Sequence, residues 1–397
     1  MRGYHNYDLN PVVRIESHGE GACLEGWNEV AGGVKECLPA GKYTVAIECY
    51  PGVMLDALRK RIAAAFPQCT IVNVEAAYLD AAVLREQFKN ALTTDPVFGR
   101  MEHWPIANYF DERRTAVLRA TIEQSSSVTF VIGAGTQHVL AKPDLRVHAN
   151  VTRWELQKRQ RNKSICNLGL ENYEDSAQLL YKNAYFLEWR VADEIRHSLY
   201  DRIDYFLDLD DQEIPRMVRG DVLREAVAAV VRQPFRVVPF FDPGPWGGYW
   251  MMRTFDLPQD VPNYAWCFDC VPEENGVMLA FGTRRFQLPA IVLVHERPTL
   301  YWERRFTSTL VRNFPSALIS WTRSAVPISR CRCIPCASIS ENISEFRILR
   351  TRATTFSIKA VILRSIWVFA QERTASRCVK IWKMPRQADL LFPPNAM

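Results

Sequence analysis

The sequence has no uninterrupted apolar run of about 18 residues, the length a membrane-spanning helix needs, so no membrane span is expected. Its first ten residues, "MRGYHNYDLN", hold no apolar stretch, which argues against a secretory signal. No glycine follows Gly282 and no histidine follows His295, although the chain has 18 glycines and seven histidines. A segment that long without glycine lacks the residue that tight turns rely on. Without histidine it also lacks the commonest metal ligand.

What is present reads as a folded protein: 397 residues, 48% hydrophobic and 23% charged, enough for two or three domains. Eleven irregularly spaced cysteines, with no export signal, fit a reducing cytoplasm. The net charge of +5 conceals a split: Tyr301 to Met397 carries 16 Lys and Arg against five Asp and Glu, the rest 33 against 39. A basic end points to nucleic acid. That reading is disfavoured, because the tail has four cysteines (Cys331, Cys333, Cys336, Cys378), no histidine and no recognisable reader motif.

Up to residue 300 the organisation is legible. Residues 1–40 alternate polar and apolar around glycines, as short strands and turns do. "KYTVAIECY" predicts a buried strand, "PGV" a turn and "MLDALRKRIAAAF" a helix; "TIVNVEAAYL" and "SSVTFVIGAG" are further strands. A helical stretch, "SAQLLYKNAYFLEWRVADEIRHSLYDRIDYFLDL", carries the stripe Leu187, Val191, Ile195, Leu199 and Ile203. Strands alternating with helices over residues 41–220 imply an α/β domain with a parallel sheet. From about residue 230 to 299, β-branched and aromatic runs broken by Pro, Gly and Asn predict an antiparallel β domain, with the boundary at 220–232.

Several stretches are candidate sites. "VAIECYPGVMLDAL" has the strand–turn–helix layout of a phosphate-binding loop, but only Gly52 stands in it, with no lysine and no Ser or Thr after it. A plain turn is the preferred reading. "NVTRWELQKRQRNK" offers Arg153, Lys158, Arg159 and Arg161 to a phosphate, or forms a solvated helix face, which is preferred. "CFDC" (Cys267, Cys270) lacks a second pair for zinc and reads as two buried structural cysteines. "DPGPWGGYW" offers Trp246, Gly247 and Gly248 to a sugar, or makes a β-turn with a core tryptophan.

Together "DPGPWGGYW", "PNYAWCFDCVPEEN" and "NLGL…YKNAYFLEWRVAD" resemble a group of bacterial class I mannose-6-phosphate isomerase-like proteins, over about residues 1–298. The resemblance implies a degenerate P-loop kinase-like parallel sheet followed by the start of a cupin β-barrel. It implies zinc-dependent interconversion of mannose 6-phosphate and fructose 6-phosphate in the cytoplasm, with a sugar phosphate as substrate. The family's zinc is held by a "Q-x-H-P" motif, a Glu and a later His, and this chain has no such motif. The bases encoding "SRCRCIPCAS", read one frame away, are compatible with "LSLQVHPLRE". A slip near 298–300 is therefore expected, with 300–397 an out-of-frame tail, no zinc bound by this chain and little activity. A phosphate- or nucleotide-binding regulatory module in residues 41–220 is the alternative.

Overall fold

A computed structural model describes residues 7–38, 41–102, 104–269 and 271–297, and the backbone alone of 318–323 and 326–333. The chain divides into two compact units, Met1–Ile348 and Leu349–Met397, and every described residue lies in the first.

The chain opens with Val12–Arg14 (β1), Cys23–Glu25 (β2), Trp27–Cys37 (α1), Tyr43–Cys49 (β3), Leu55–Ala65 (α2) and Thr70–Asn73 (β4). Next come Ala81–Leu92 (α3), Glu112–Gln124 (α4), Val128–Gly133 (β5), Thr136–Val139 (α5), Leu145–Asn150 (β6) and Arg153–Arg161 (α6). Ala177–Asn183 (α7) runs through a π turn into Trp189–Leu199 (α8), followed by Tyr205–Asp208 (β7), Arg216–Arg219 (β8) and Gly220–Val230 (α9). These elements build a mixed α/β layer. Its sheet has the order β2-β8-β7-β6-β3-β5-β4, parallel from β7 to β4 and antiparallel at β8 and β2.

The apolar pattern explains the burial. β3 and β6 are central strands covered on both faces, so their runs "YTVAIEC" and "LRVHAN" need no solvent side. All five residues of the predicted stripe, Leu187 to Ile203, are buried against one face of the sheet. On the other face, Leu58 and Ile62 of α2 join Val45, Ile47 and Val147.

Three expectations are corrected. Within residues 1–40, read as short strands and turns, Trp27–Cys37 is helix α1, because Val30, Gly33 and Val34 bury one face of it while its glycines cause no break. "TIVNVEAAYL" is a strand only to Asn73, whose side chain accepts from the Glu75 N–H over 3.0 Å and starts a 3-10 turn. "DYFLDL" is strand β7 rather than helix, since Phe206 and Leu207 enter opposite cores of the sheet. α9 occupies the expected domain boundary and buries Leu223, Ala226, Val227 and Val230 on the α/β layer.

The β-rich part follows as Phe240–Asp242 (β9), Trp250–Thr254 (α10), Trp266–Phe268 (β10), Gly276–Phe281 (β11), Arg284–Pro289 (β12) and Ile291–Glu296 (α11). β11 pairs antiparallel with β12 and parallel with β1, so the N-terminal segment is shared: β1 completes this small sheet while β2 edges the large one. The backbone of Leu318–Arg323 (β13) and Val326–Cys333 (β14) forms a hairpin that extends β10 and β9 to four strands. Cys331 and Cys333 lie on β14; Cys336, Cys378 and residues 298–300 lie outside the described residues.

Candidate functional site

Ligands of open parallel sheets gather at the carboxyl ends of the strands. Here that edge carries the turn after β3, where Gly52 has φ +98°. A Cβ at Gly52 would stand 3.0 Å from Cγ of Leu156, so only glycine lets α6 lie this close. Arg159 of α6 donates to the carbonyl oxygens of Gly52 (2.8 Å), Leu209 (2.7 Å) and Asp210 (3.0 Å), and to Oε1 of Glu155 (3.1 Å).

Carboxyls crowd the same edge. Asp210 accepts from the Thr152 N–H (2.6 Å) and hydroxyl (2.7 Å), and Asp208 from the N–H groups of Asp210 (3.0 Å) and Gln287 (2.9 Å). Burial pushes Asp208 up to about 6, and burial with Asp208 alongside pushes Asp210 up to about 7. Glu48, at the end of β3, accepts from the Gly135 N–H and the Thr136 hydroxyl, each at 2.5 Å, and burial raises it too. Gly52 and Arg159 are thus brought together as the phosphate reading requires. Arg159 is already committed there, to the carbonyls of Gly52, Leu209 and Asp210 and to Glu155, rather than held free for an anion.

Arg153 anchors a second, fully buried cluster. Its Nε donates to the Tyr50 hydroxyl (3.0 Å), one Nη meets the Glu273 carboxylate and its backbone carbonyl (2.8 Å), and the other meets Asp193. The guanidinium lies 4.5 Å from the centre of the Trp189 ring. Arg190 also reaches Glu273, and Arg196 pairs with Asp193 at 3.0 Å. Burial alone raises Asp193, but Arg153 and Arg196 overcome it, and its carboxyl titrates well below the usual range. Arg196 Nη2 lies 3.0 Å from Nδ1 of His295. An arginine only donates, so Nδ1 is the bare acceptor and His295 is neutral; burial pushes its pKa down to about 3. His148 of β6 is likewise pushed to about 3, by burial and then by Arg196, and neither ring nitrogen has a partner among the described residues.

Arg153 and Arg159 therefore correct the solvated-face expectation: they are 1% and 6% exposed, because α6 is wedged between sheet and β region. Lys158 and Arg161 on the same helix do keep exposure. Trp246 is not a core residue but 46% exposed, edge-on to Trp266. Gly247 and Gly248 brace a turn. Gly248 bridges Tyr264 through two 3.1 Å hydrogen bonds, and a Cβ on Gly247 would strike Oδ1 of Asn263. Cys267 is buried and Cys270 lies outside the described residues. Among the described residues no group of three or more His, Cys, Asp or Glu could hold a metal ion, so the zinc that the resemblance implies has no donor set there. No helix among them is long and apolar enough to cross a membrane.

Asp193, Glu273, His148 and His295 were not singled out from sequence. A signal existed in "RVHAN", where Arg146, His148 and Asn150 put polar groups at alternate positions of a buried strand.

A family model described as "Domain of unknown function (DUF8485)" matches residues 26–232, just over half of the chain. The chain belongs to the DUF8485 family. The DUF8485 segment opens at Gly26, immediately before α1, and closes just past α9, so it coincides with the α/β layer except for strand β2. Arg153, Arg159, Asp193 and Gly52 lie inside it; Glu273 and His295 lie beyond it. No curated protein matches. A solved structure from Silicibacter sp. TM1040, described as that of a candidate fructose transport system kinase, is similar at 17% identity with a TM-score of 0.30, covering 43% of this chain and 93% of that one.

Proposed function

We propose that this chain derives from a sugar-phosphate isomerase whose DUF8485 layer braces the β region and does not itself turn over nucleotide. The observation that carries it is convergence of the three segments behind the resemblance. Asp193 and Arg190 end "NLGL…YKNAYFLEWRVAD", Glu273 and Glu274 sit in "PNYAWCFDCVPEEN", and Gly247 and Gly248 of "DPGPWGGYW" fold onto Asn263 and Tyr264. Glu273 and Glu274 plug into the layer through Arg153, Arg190, Gln157 and Tyr181.

Aldose–ketose interconversion moves a proton between C1 and C2, with a metal polarising the substrate oxygens. The described residues hold no donor set for the metal, so no catalytic step is assigned to them. The test is a coupled assay of mannose 6-phosphate conversion, with zinc, on this chain and on a version whose frame is restored at codons 298–300. Activity only in the restored version is expected. An inactive restored protein, or a gene without any one-base route to the family pattern, overturns the reading.

The nucleotide-binding alternative rests on the position of Gly52 at the carboxyl end of β3. Titration of the full chain with ATP is expected to give no saturable heat, because Arg159 already spends its donors on the Gly52, Leu209 and Asp210 carbonyls and the loop carries no lysine.

A further inference from the structure

The DUF8485 segment begins at residue 26, and the chain ahead of it joins the β region, where β1 pairs with β11. Ahead of β1, Tyr7 enters a socket formed around β9, α10 and β10. Its ring stacks on Phe255 at 4.7 Å and meets Phe241 edge-on at 6.5 Å between centroids. The Arg236 guanidinium lies 4.6 Å from the ring centre. The Tyr7 hydroxyl donates to Oδ2 of Asp269 over 3.1 Å and lies 3.7 Å from Sγ of Cys267.

Each of these contacts selects for one property of a phenol. A stacking ring and a cation against it call for an aromatic with an electron-rich face. The carboxyl calls for a hydroxyl. Burial first, then Cys267 and Asp269, push the Tyr7 phenol far above its ordinary titration range, so it stays a donor. A plain phenyl ring would leave Asp269 without that donor, and Oδ1 of Asp269 already has no partner among the described residues.

The arm that carries the ring has little else to hold it. Leu9 packs beside the socket, but no residue from 7 to 10 makes a backbone–backbone hydrogen bond among the described residues. The Asn10 N–H turns back to Asp8 over 2.9 Å, both residues are exposed, and strand pairing starts only at Val12. A segment with so few backbone bonds opens at far lower cost than the fold as a whole. We propose that this socket is a phenol-binding site that the chain's own N-terminal arm fills as a releasable latch. The assignment makes no use of the isomerase reading, so the two can fail independently.

Chymotrypsin cleavage of the full chain after position 7, followed by mass spectrometry, reads the latch. Tyr7→Phe keeps a cleavable ring and loses the bond to Asp269. Cleavage should then speed about tenfold or more, the worth of one hydrogen bond to a charged group, with the unfolding midpoint unmoved. Unchanged cleavage, or a midpoint that falls in step with it, overturns the latch. Isothermal titration with p-cresol reads the socket. The Tyr7→Ala chain should bind it saturably and about tenfold or more tighter than the parent, where the arm competes. It should also prefer p-cresol to toluene by about tenfold, since toluene offers Asp269 no donor. No saturable binding, equal affinity in parent and variant, or no preference over toluene overturns the phenol site. A Tyr7→Ala chain that does not fold would make Tyr7 a core residue and overturns the proposal as well.

Discussion

Arg159 Nη1 donates to the carbonyl oxygen of Gly52 over 2.8 Å, and its Nη2 donates to the carbonyls of Leu209 and Asp210. The turn after β3 is thereby tied to the segment after β7, across the carboxyl edge of the parallel strands. A guanidinium here does structurally what it would do for a bound phosphate: it gathers oxygens. In this fold the oxygens are the chain's own.

Replacing Arg159 with Met should lower stability by about 2–4 kcal/mol, since several hydrogen bonds from a charged donor are lost and buried carbonyls are left unpaired. Arg159→Lys should recover little of it. An ammonium is a point charge on a single stem and cannot fork to carbonyls on two separate segments. Urea unfolding of the three proteins measures both effects, and a fully stable Lys variant would contradict the clamp.

Gly52→Ala should destabilise by about 1–3 kcal/mol, from a left-handed backbone held with a Cβ. Crowding against Leu156 adds to that, because the new carbon would meet Cγ at 3.0 Å. Urea unfolding of parent and variant measures the loss, and an unchanged midpoint would mean that both the turn and Leu156 yield freely.

Glu273→Ala removes the carboxylate that Arg153 and Arg190 share, leaving two buried guanidinium groups under-compensated. Breaking such a cluster from one side costs about 3–5 kcal/mol. Because Glu273 belongs to the β region and its partners to the DUF8485 layer, the same variant should speed proteolysis between residues 232 and 239. Cleavage rates unchanged from the parent would show that the ion pairs do not hold the two parts together.

How much of this was legible depends on what kind of signal each residue left. The stripe Leu187 to Ile203 and the apolar run of β3 announced themselves, because periodicity is a local property of the sequence. The turn at Gly52 was also readable, and the missing lysine already argued against a working phosphate loop. Arg153 was misread because its neighbours Lys158 and Arg161 are solvated, and composition cannot tell which side of a basic helix faces inward. What buries it is Glu273, 120 residues away, and a pairing at that separation has no local trace. β7 was hidden for the same reason: "DYFLDL" continues the helical stripe through Ile203, and only its neighbour β6 makes it a strand.

The pH dependence of folding should carry the mark of Glu188. This carboxyl is 3% exposed, accepts from the Leu168 N–H over 2.7 Å, and is pushed up to about 7 by burial. In the unfolded chain a glutamate titrates near about 4.3. Between those values the native state keeps a proton that the unfolded state has lost. Glu188's protonated form therefore favours folding fully below about pH 4.3, and that advantage is lost as pH rises toward 7. Glu188→Gln keeps an acceptor for Leu168 and never ionises. Its stability relative to the parent should thus grow with pH, by up to about 1.4 kcal/mol per unit across this window, and level off above it. His148 and His295 tilt the absolute curve the other way: neutral in the fold down to about 3, they add stability as pH rises toward 6.5. Both proteins share them, so they cancel in the difference. Urea unfolding of parent and variant from pH 4 to 8 gives that difference directly, and a flat one would mean that Glu188 is not held protonated by the fold.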